Sequence, residues 1–80
     1  MNKDKIQDWI KNYLSELVDI PVDKIDVTMP FENFGLSSAA AVALIGDLED
    51  YLDADISPAL LFEASDIAEV SAAIVEELQL

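Results

Sequence analysis

A serine pair marks the junction between a loop-like segment and an alanine-rich run, and this setting is suited to nucleophilic chemistry. The stretch 35–39, Gly-Leu-Ser-Ser-Ala, comes close to the turn that exposes the nucleophilic serine of many hydrolases. That serine needs a histidine base, and the chain contains neither histidine nor cysteine. The sequence therefore excludes Ser-His and Cys-His catalysis, and it predicts no catalytic residue.

Acidic side chains cluster between positions 47 and 55 and raise the question of a cation site. Neither Asp47 nor Asp53, taken as the start of a calcium loop, is followed by the required central glycine and terminal glutamate. A glycosidase pair of carboxylates needs a walled cleft, which a chain of 80 residues is too small to build around a core. We therefore predict no metal site, only weak surface binding of divalent ions.

The charge of the chain is strongly negative and unevenly distributed. There are 17 Asp and Glu against 4 Lys and Arg, a net charge of −13, and no basic residue follows Lys24. This charge opposes binding to nucleic acid or to anionic lipid. An acidic surface of this kind indicates either a basic protein partner or selection for solubility, and composition does not decide between the two.

Composition also predicts a folded, soluble chain. The apolar share is 52%, too high for a disordered acidic tail, and no apolar run approaches the ~20 residues that span a membrane. Because the chain has no signal-like start, we expect it in the cytoplasm. Its length predicts one domain over residues 1–80, and we expect this domain to be a monomer. Met1 favours a discrete protein over a domain cut from a longer chain, although the sequence leaves both open.

Helical periodicity predicts the elements that position the serine pair. A first helix is expected over residues 4–18, a long ordered loop over 19–36, and a second helix from Ser38 to about Leu52. Ser57 and Pro58 indicate the start of a short helix over 59–62, and Ser65 is the predicted cap of the last helix. The fold class is therefore all-α, a four-helix bundle of three longer helices and one short third helix.

Apolar residues at helical spacing mark the faces expected in the core. They are Ile6, Trp9, Ile10, Tyr13, Leu14 and Leu17 in the first helix, Ala41, Ile45, Leu48 and Leu52 in the second, and Ile67, Val70, Ile74 and Leu78 in the last.

The whole pattern resembles the acyl carrier proteins. An aromatic residue precedes Gly-Leu-Asp-Ser-Leu in that family, and Phe31 with the stretch 35–38 falls on this motif. Further matches are Leu44, Leu48-Glu49, Ile56, Pro58, Leu61-Phe62-Glu63 and Ile67. The resemblance spans nearly the whole chain and implies a carrier with no catalytic activity of its own, which delivers acyl thioesters between enzymes.

The resemblance implies that Ser38 is the attachment serine for covalent 4′-phosphopantetheine, with Ser37 as the less favoured alternative. A serine at a helix N-terminus exposes its hydroxyl and holds a phosphodiester beside unpaired backbone N–H groups. The arm would supply the thiol that the chain itself lacks. Taken alone, the serine pair also fits an ordinary helix cap.

Several positions depart from the family pattern and refine the expected subfamily. Ser37 replaces the usual aspartate, Ala39 a leucine and Ala43 a frequent glutamate, while Ser65-Asp66 replaces Pro-Thr. Gly-Leu-Ser-Ser with Leu-Phe-Glu looks more like carriers of polyketide or mixed polyketide and nonribosomal peptide pathways than like the fatty-acid carrier. A peptidyl or aminoacyl carrier remains an alternative.

The implied partners are a phosphopantetheinyl transferase, an acyl-activating ligase or acyltransferase, and a ketosynthase. The expected docking contacts are Ala39, Val42, Asp47, Glu49 and Asp50. Taken singly, each of these acids fits a solvated helix face as well as it fits a docking contact. Small residues over 40–43 suggest shelter for the acyl chain between helices. The competing function is an unmodified acidic helical adaptor that binds basic proteins.

Overall fold

The fold is described by a computed structural model that covers residues 2–57 and 59–80, the side chain of Phe62 excepted. The α-helices are α1 (Lys3–Val18), α2 (Ser38–Leu52), α3 (Leu60–Glu63) and α4 (Ile67–Leu78). The described residues contain no strand, so the predicted all-helical class is confirmed. Three helices of 12 to 16 residues make up most of the fold, and α3 is a single turn of four residues.

The helices pack around one apolar core. α1 packs chiefly against α4, and α3 also contacts α4. The core side chains from the helices are Ile6, Ile10, Leu14, Ile45, Leu48, Leu60, Ile67, Val70 and Ile74. The connections between the helices add Ile25, Phe34 and Ile56. The predicted stripes are largely correct, with two kinds of exception. Leu17 is 45% exposed, and the residues that are only half-buried are Trp9, Tyr13, Ala41, Leu52 and Leu78.

The connection between α1 and α2 is more regular than the predicted loop. Residues 22–24 and Phe31–Phe34 form short 3₁₀-helices, each preceded by a proline that presets the backbone angle φ. Ile25 and Phe34 enter the core, so the connection is anchored along its length. Periodicity could not reveal these turns, because a 3₁₀-helix of three or four residues is too short to show a repeating pattern of apolar positions.

Two predicted helix starts need correction. α4 is capped by Asp66, whose carboxylate accepts a hydrogen bond from the Glu69 N–H at 2.8 Å, and not by Ser65. α3 begins at Leu60, one residue later than predicted. Met1 and Pro58, which supported the discrete-protein and short-helix predictions, lie outside the described residues. No helix in the described part of the chain is long and apolar enough to cross a membrane.

Candidate functional site

Ser37 and Ser38 have different roles at the start of α2. Ser37 is the N-cap, and its hydroxyl accepts a hydrogen bond from the Ala40 N–H at 3.1 Å. Ser38 is the first helical residue and is exposed. The first turn of a helix leaves backbone N–H groups unpaired and carries the positive end of the helix dipole. The arrangement suits a phosphate ester on Ser38, while the Ser37 hydroxyl is already used in the cap.

Gly35 sets the direction in which the chain enters α2. It ends the Phe31–Phe34 turn in the left-handed region, at φ 70°, which side chains disfavour, and its N–H donates to the Glu32 carbonyl. Phe34 immediately before it is 8% exposed and belongs to the core. The serine pair is thus separated by only two residues from a buried aromatic anchor, which limits its movement.

Backbone hydrogen bonds attach this connection to the start of α4. The Phe31 N–H donates to the Ser65 carbonyl, and the Ala68 N–H donates to the Val27 carbonyl, both at 3.0 Å. The Glu69 carboxylate in turn accepts from the Ser65 N–H at 2.8 Å. Residues far apart in the chain are therefore brought together beside Ser38.

A cleft of about 480 Å³ opens beside Ser38. Its walls come from the Phe31–Phe34 turn, the start of α2 and the α3–α4 junction, and they are mainly apolar. The lining residues are Pro30, Phe31, Glu32, Leu36, Ser37, Ser38, Ala41, Leu61, Ala64 and Ser65. Of the small residues over 40–43 that suggested a shelter, only Ala41 lines this cleft. The contributions of Ala64 and Ser65 had no signal in the sequence.

The predicted docking residues do not form one uniform surface. Ala39, Val42 and Asp50 are exposed on α2, and Val42 is 59% exposed. Asp47 is also exposed. Glu49 differs from these, because it is half-buried and its carboxylate accepts a hydrogen bond from the Ile56 N–H at 2.8 Å.

An aromatic group lies next to Asp47 and joins α1 to α2. The Trp9 ring stacks on Tyr13 and on Tyr51, with ring centroids 5.2 and 5.3 Å apart. A hydrogen bond to Asp47, partial burial and the negative charge of Asp47 raise the pKa of Tyr13. Helical spacing predicts Trp9 and Tyr13 in the core and gives no sign of an association with Asp47.

Within the described residues, no group of three or more acidic side chains is arranged to hold a metal ion. The site therefore consists of an exposed serine hydroxyl, a helix N-terminus and an apolar cleft. These features fit a phosphate-linked group on Ser38 that extends along the cleft.

Comparison with known proteins points to the same chemistry. The family model described as "Phosphopantetheine attachment site" matches residues 8–74. Acyl carrier protein TtuC of Teredinibacter turnerae is 37% identical over 46 residues, which are 58% of this chain and 53% of TtuC. Polyketide synthase PksL of Bacillus subtilis is 28% identical over 71 residues, which are 89% of this chain and 2% of PksL. The chain thus spans about half the length of one relative and a small part of the other.

A solved structure shows the same fold over the whole chain. Asl1650 of Anabaena sp. PCC 7120, an acyl carrier protein with a variant phosphopantetheinylation-site sequence, matches with a TM-score of 0.89 at 31% identity. The match covers 100% of this chain and 90% of Asl1650. The chain therefore belongs to the phosphopantetheine-binding family, a family of domains that carry covalent 4′-phosphopantetheine and have no catalytic activity of their own.

Proposed function

We propose that Ser38 carries the 4′-phosphopantetheine and that the chain delivers acyl groups as thioesters on this arm. The observation that carries the assignment is the division of roles between the two serines. Ser38 is exposed at the first position of α2, whereas the Ser37 hydroxyl is engaged with the Ala40 N–H. The arm supplies the thiol that a chain without cysteine lacks.

The start of α2 is arranged for loading by a separate transferase. The Ser38 Oγ attacks the phosphorus on the pantetheine side of the coenzyme A pyrophosphate. The new P–O bond replaces the bond from this phosphorus to the bridging oxygen, the adenosine bisphosphate leaves with that oxygen, and the hydroxyl proton passes to the transferase. Within this chain, the helix N-terminus stabilises the negative phosphodiester that results. We expect the single turn α3 and the connection over 19–37 to complete a four-helix carrier bundle around the cleft.

The pathway we favour is polyketide or mixed polyketide and nonribosomal peptide synthesis, with fatty acyl carriage as the less favoured variant. Support comes from the likeness to an acyl carrier protein and to part of a polyketide synthase. We expect a single acyl-carrier-like domain over residues 1–80, monomeric and cytoplasmic. Its expected partners are the transferase, an acyl-activating ligase or acyltransferase and a ketosynthase.

The outward side of α2 is the proposed docking surface for these enzymes. Ala39 and Val42 present an apolar area close to Ser38, and Asp47 and Asp50 add negative charge farther along the helix. Such charges accelerate encounter with basic patches and fix the orientation of the partner.

The test is the intact mass of the purified chain, before and after incubation with coenzyme A and a broad-specificity phosphopantetheinyl transferase. We expect wild type to gain one phosphopantetheine and Ser38→Ala to gain none. Ser37→Asp is the matched variant, because aspartate removes the hydroxyl but remains a good N-cap, so loading should persist.

Each other outcome has a definite meaning. Loading lost in Ser37→Asp and kept in Ser38→Ala would retain the carrier function and move the attachment to Ser37. No mass gain in wild type with several transferases would contradict the proposal. Salt-sensitive partner binding that survives Ser38→Ala would then favour the unmodified acidic adaptor.

A further inference from the structure

Glu49 lies in the last turn of α2 and holds the segment that follows the helix. Its backbone carbonyl accepts hydrogen bonds from the N–H groups of Asp53 and Ala54, and its Oε2 accepts from the Ile56 N–H at 2.8 Å. One residue thus receives three backbone N–H groups from the chain that follows the helix. A hydrogen bond to a charged carboxylate is about twice as strong as one between neutral groups.

The segment held by Glu49 leads to the cleft beside Ser38. Ile56 is 4% exposed and belongs to the core. Four residues later the chain forms α3, where Leu60 is buried and Leu61 lines the cleft. Ile56 is therefore held in two ways shortly before α3 begins, by the bond of its N–H to the Glu49 carboxylate and by the packing of its side chain in the core.

Asp50 has a different environment, although it is the next residue along the helix. It is exposed, and it follows Gly46 by four residues and Ala39 by eleven, so all three lie on one side of α2. The exposed carboxylate of Asp50 can contact a basic side chain without losing an internal hydrogen bond. Glu49 is half-buried and its Oε2 already accepts from the Ile56 N–H, so its carboxylate is less accessible to the basic side chain of a partner.

We propose that Glu49 is a positioning residue, which holds Ile56 and thereby places α3 at the cleft, whereas the neighbouring Asp50 belongs to the docking charge proposed above for α2. The part concerning Asp50 rests on the proposed carrier function. The part concerning Glu49 rests only on the geometry of the α2–α3 junction, so the two parts can fail separately.

The first experiment measures amide hydrogen exchange of Ile56 by NMR in the unloaded chain. We expect Glu49→Ala to accelerate exchange at Ile56 by about tenfold or more relative to the Val70 amide, which serves as the reference for global opening. Glu49→Gln keeps an acceptor oxygen and should stay within about threefold of wild type, while Asp50→Ala should change nothing at Ile56. Chemical shifts of Leu61 and Ala64 should move in Glu49→Ala only.

The second experiment compares two variants that each remove one negative charge, Glu49→Gln and Asp50→Asn, in the transferase assay. We expect Asp50→Asn to raise the KM for the carrier about two- to fivefold with kcat unchanged, in line with the energy of an exposed ion pair, and Glu49→Gln to leave both constants near wild type. A higher NaCl concentration should reduce the difference in KM between Asp50→Asn and wild type, because salt screens the exposed charge.

A rise of KM in Glu49→Gln equal to that in Asp50→Asn, with Ile56 exchange unchanged in Glu49→Ala, would overturn the proposal. Unchanged KM in Asp50→Asn would overturn the assignment of the docking charge. If wild type is not loaded at all, the carrier function fails, and the exchange experiment still decides the role of Glu49.

Discussion

Four serines illustrate how the surroundings of a side chain decide its role. Ser37 caps α2, Ser38 is exposed beside the cleft, and the Ser15 hydroxyl donates to the Ile20 carbonyl after α1. Ser71 on α4 is fully buried, and its Oγ has no hydrogen-bond partner among residues 2–57 and 59–80. A buried hydroxyl without a partner keeps its desolvation penalty, so Ser71 lowers the stability of the fold.

Replacing Ser71 should therefore stabilise the protein. We expect Ser71→Ala to raise the free energy of unfolding by about 1 kcal/mol, because the substitution removes an unsatisfied polar group and leaves almost the same volume. Ser15→Ala is the matched control and should lower it by about 1 kcal/mol through loss of the bond to Ile20. Urea denaturation followed by circular dichroism measures both, with the slope m unchanged. A loss of stability in Ser71→Ala would mean that the hydroxyl has a partner in solution.

The three long helices begin in the same way. Asn2, Ser37 and Asp66 each accept a hydrogen bond from the backbone N–H three residues later. The cap of α4 has an additional role, since Glu69 also accepts from the Ser65 N–H and Ser65 accepts from Phe31. The start of α4 is therefore coupled to the turn that leads to Ser38.

The corrected cap of α4 can be tested by comparing neighbouring side chains. Asp66→Ala should lower the free energy of unfolding by about 1–2 kcal/mol, because it removes the acceptor for the Glu69 N–H. Ser65→Ala should change it by less than about 0.5 kcal/mol, because Ser65 contributes its backbone groups to these contacts. Asp66→Ser should recover most of the loss. Thermal or urea denaturation measures the free energy of unfolding of each variant. Equal losses of this free energy in Asp66→Ala and Ser65→Ala would contradict the assignment of Asp66 as the cap of α4.

At the scale of the whole molecule, negative charge opposes folding. All four lysines lie in the first 24 residues, whereas twelve acids follow Ile25 without any basic residue. α4 alone carries Glu69, Glu76 and Glu77, and α2 carries Asp47, Glu49 and Asp50. Repulsion among these groups destabilises the compact state, although it favours solubility and encounter with basic partners.

Screening this repulsion should raise thermal stability. The Debye length falls from ~30 Å at 0.01 M salt to ~3 Å at 1 M. Between these limits we expect Tm to rise by about 4–8 °C, which corresponds to ~1 kcal/mol for a domain of this size. NaCl and choline chloride should act alike at equal ionic strength, since screening does not depend on the cation. A constant Tm, or a rise that only divalent cations produce at the same ionic strength, would contradict this account.

Local sequence is sufficient to predict the all-helical class, the approximate helix limits and a serine cap for α2. These features arise from interactions within about four residues, which hydrophobic spacing and cap chemistry express directly. The same local reasoning misplaced the cap of α4, because Ser65 and Asp66 are both good capping residues and adjacent. Only the backbone geometry distinguished them.

Tertiary structure decided the features that depend on residues distant in the chain. The contact of Phe31 with Ser65, the cleft beside Ser38 and the stacking of Trp9 on Tyr51 each join separate elements. Spacing along the chain carries no information about such pairs, since they form only when the helices pack around a shared core. For the same reason, Glu49 and Asp50 are equivalent acids in the sequence, and the position of Ile56 makes them different.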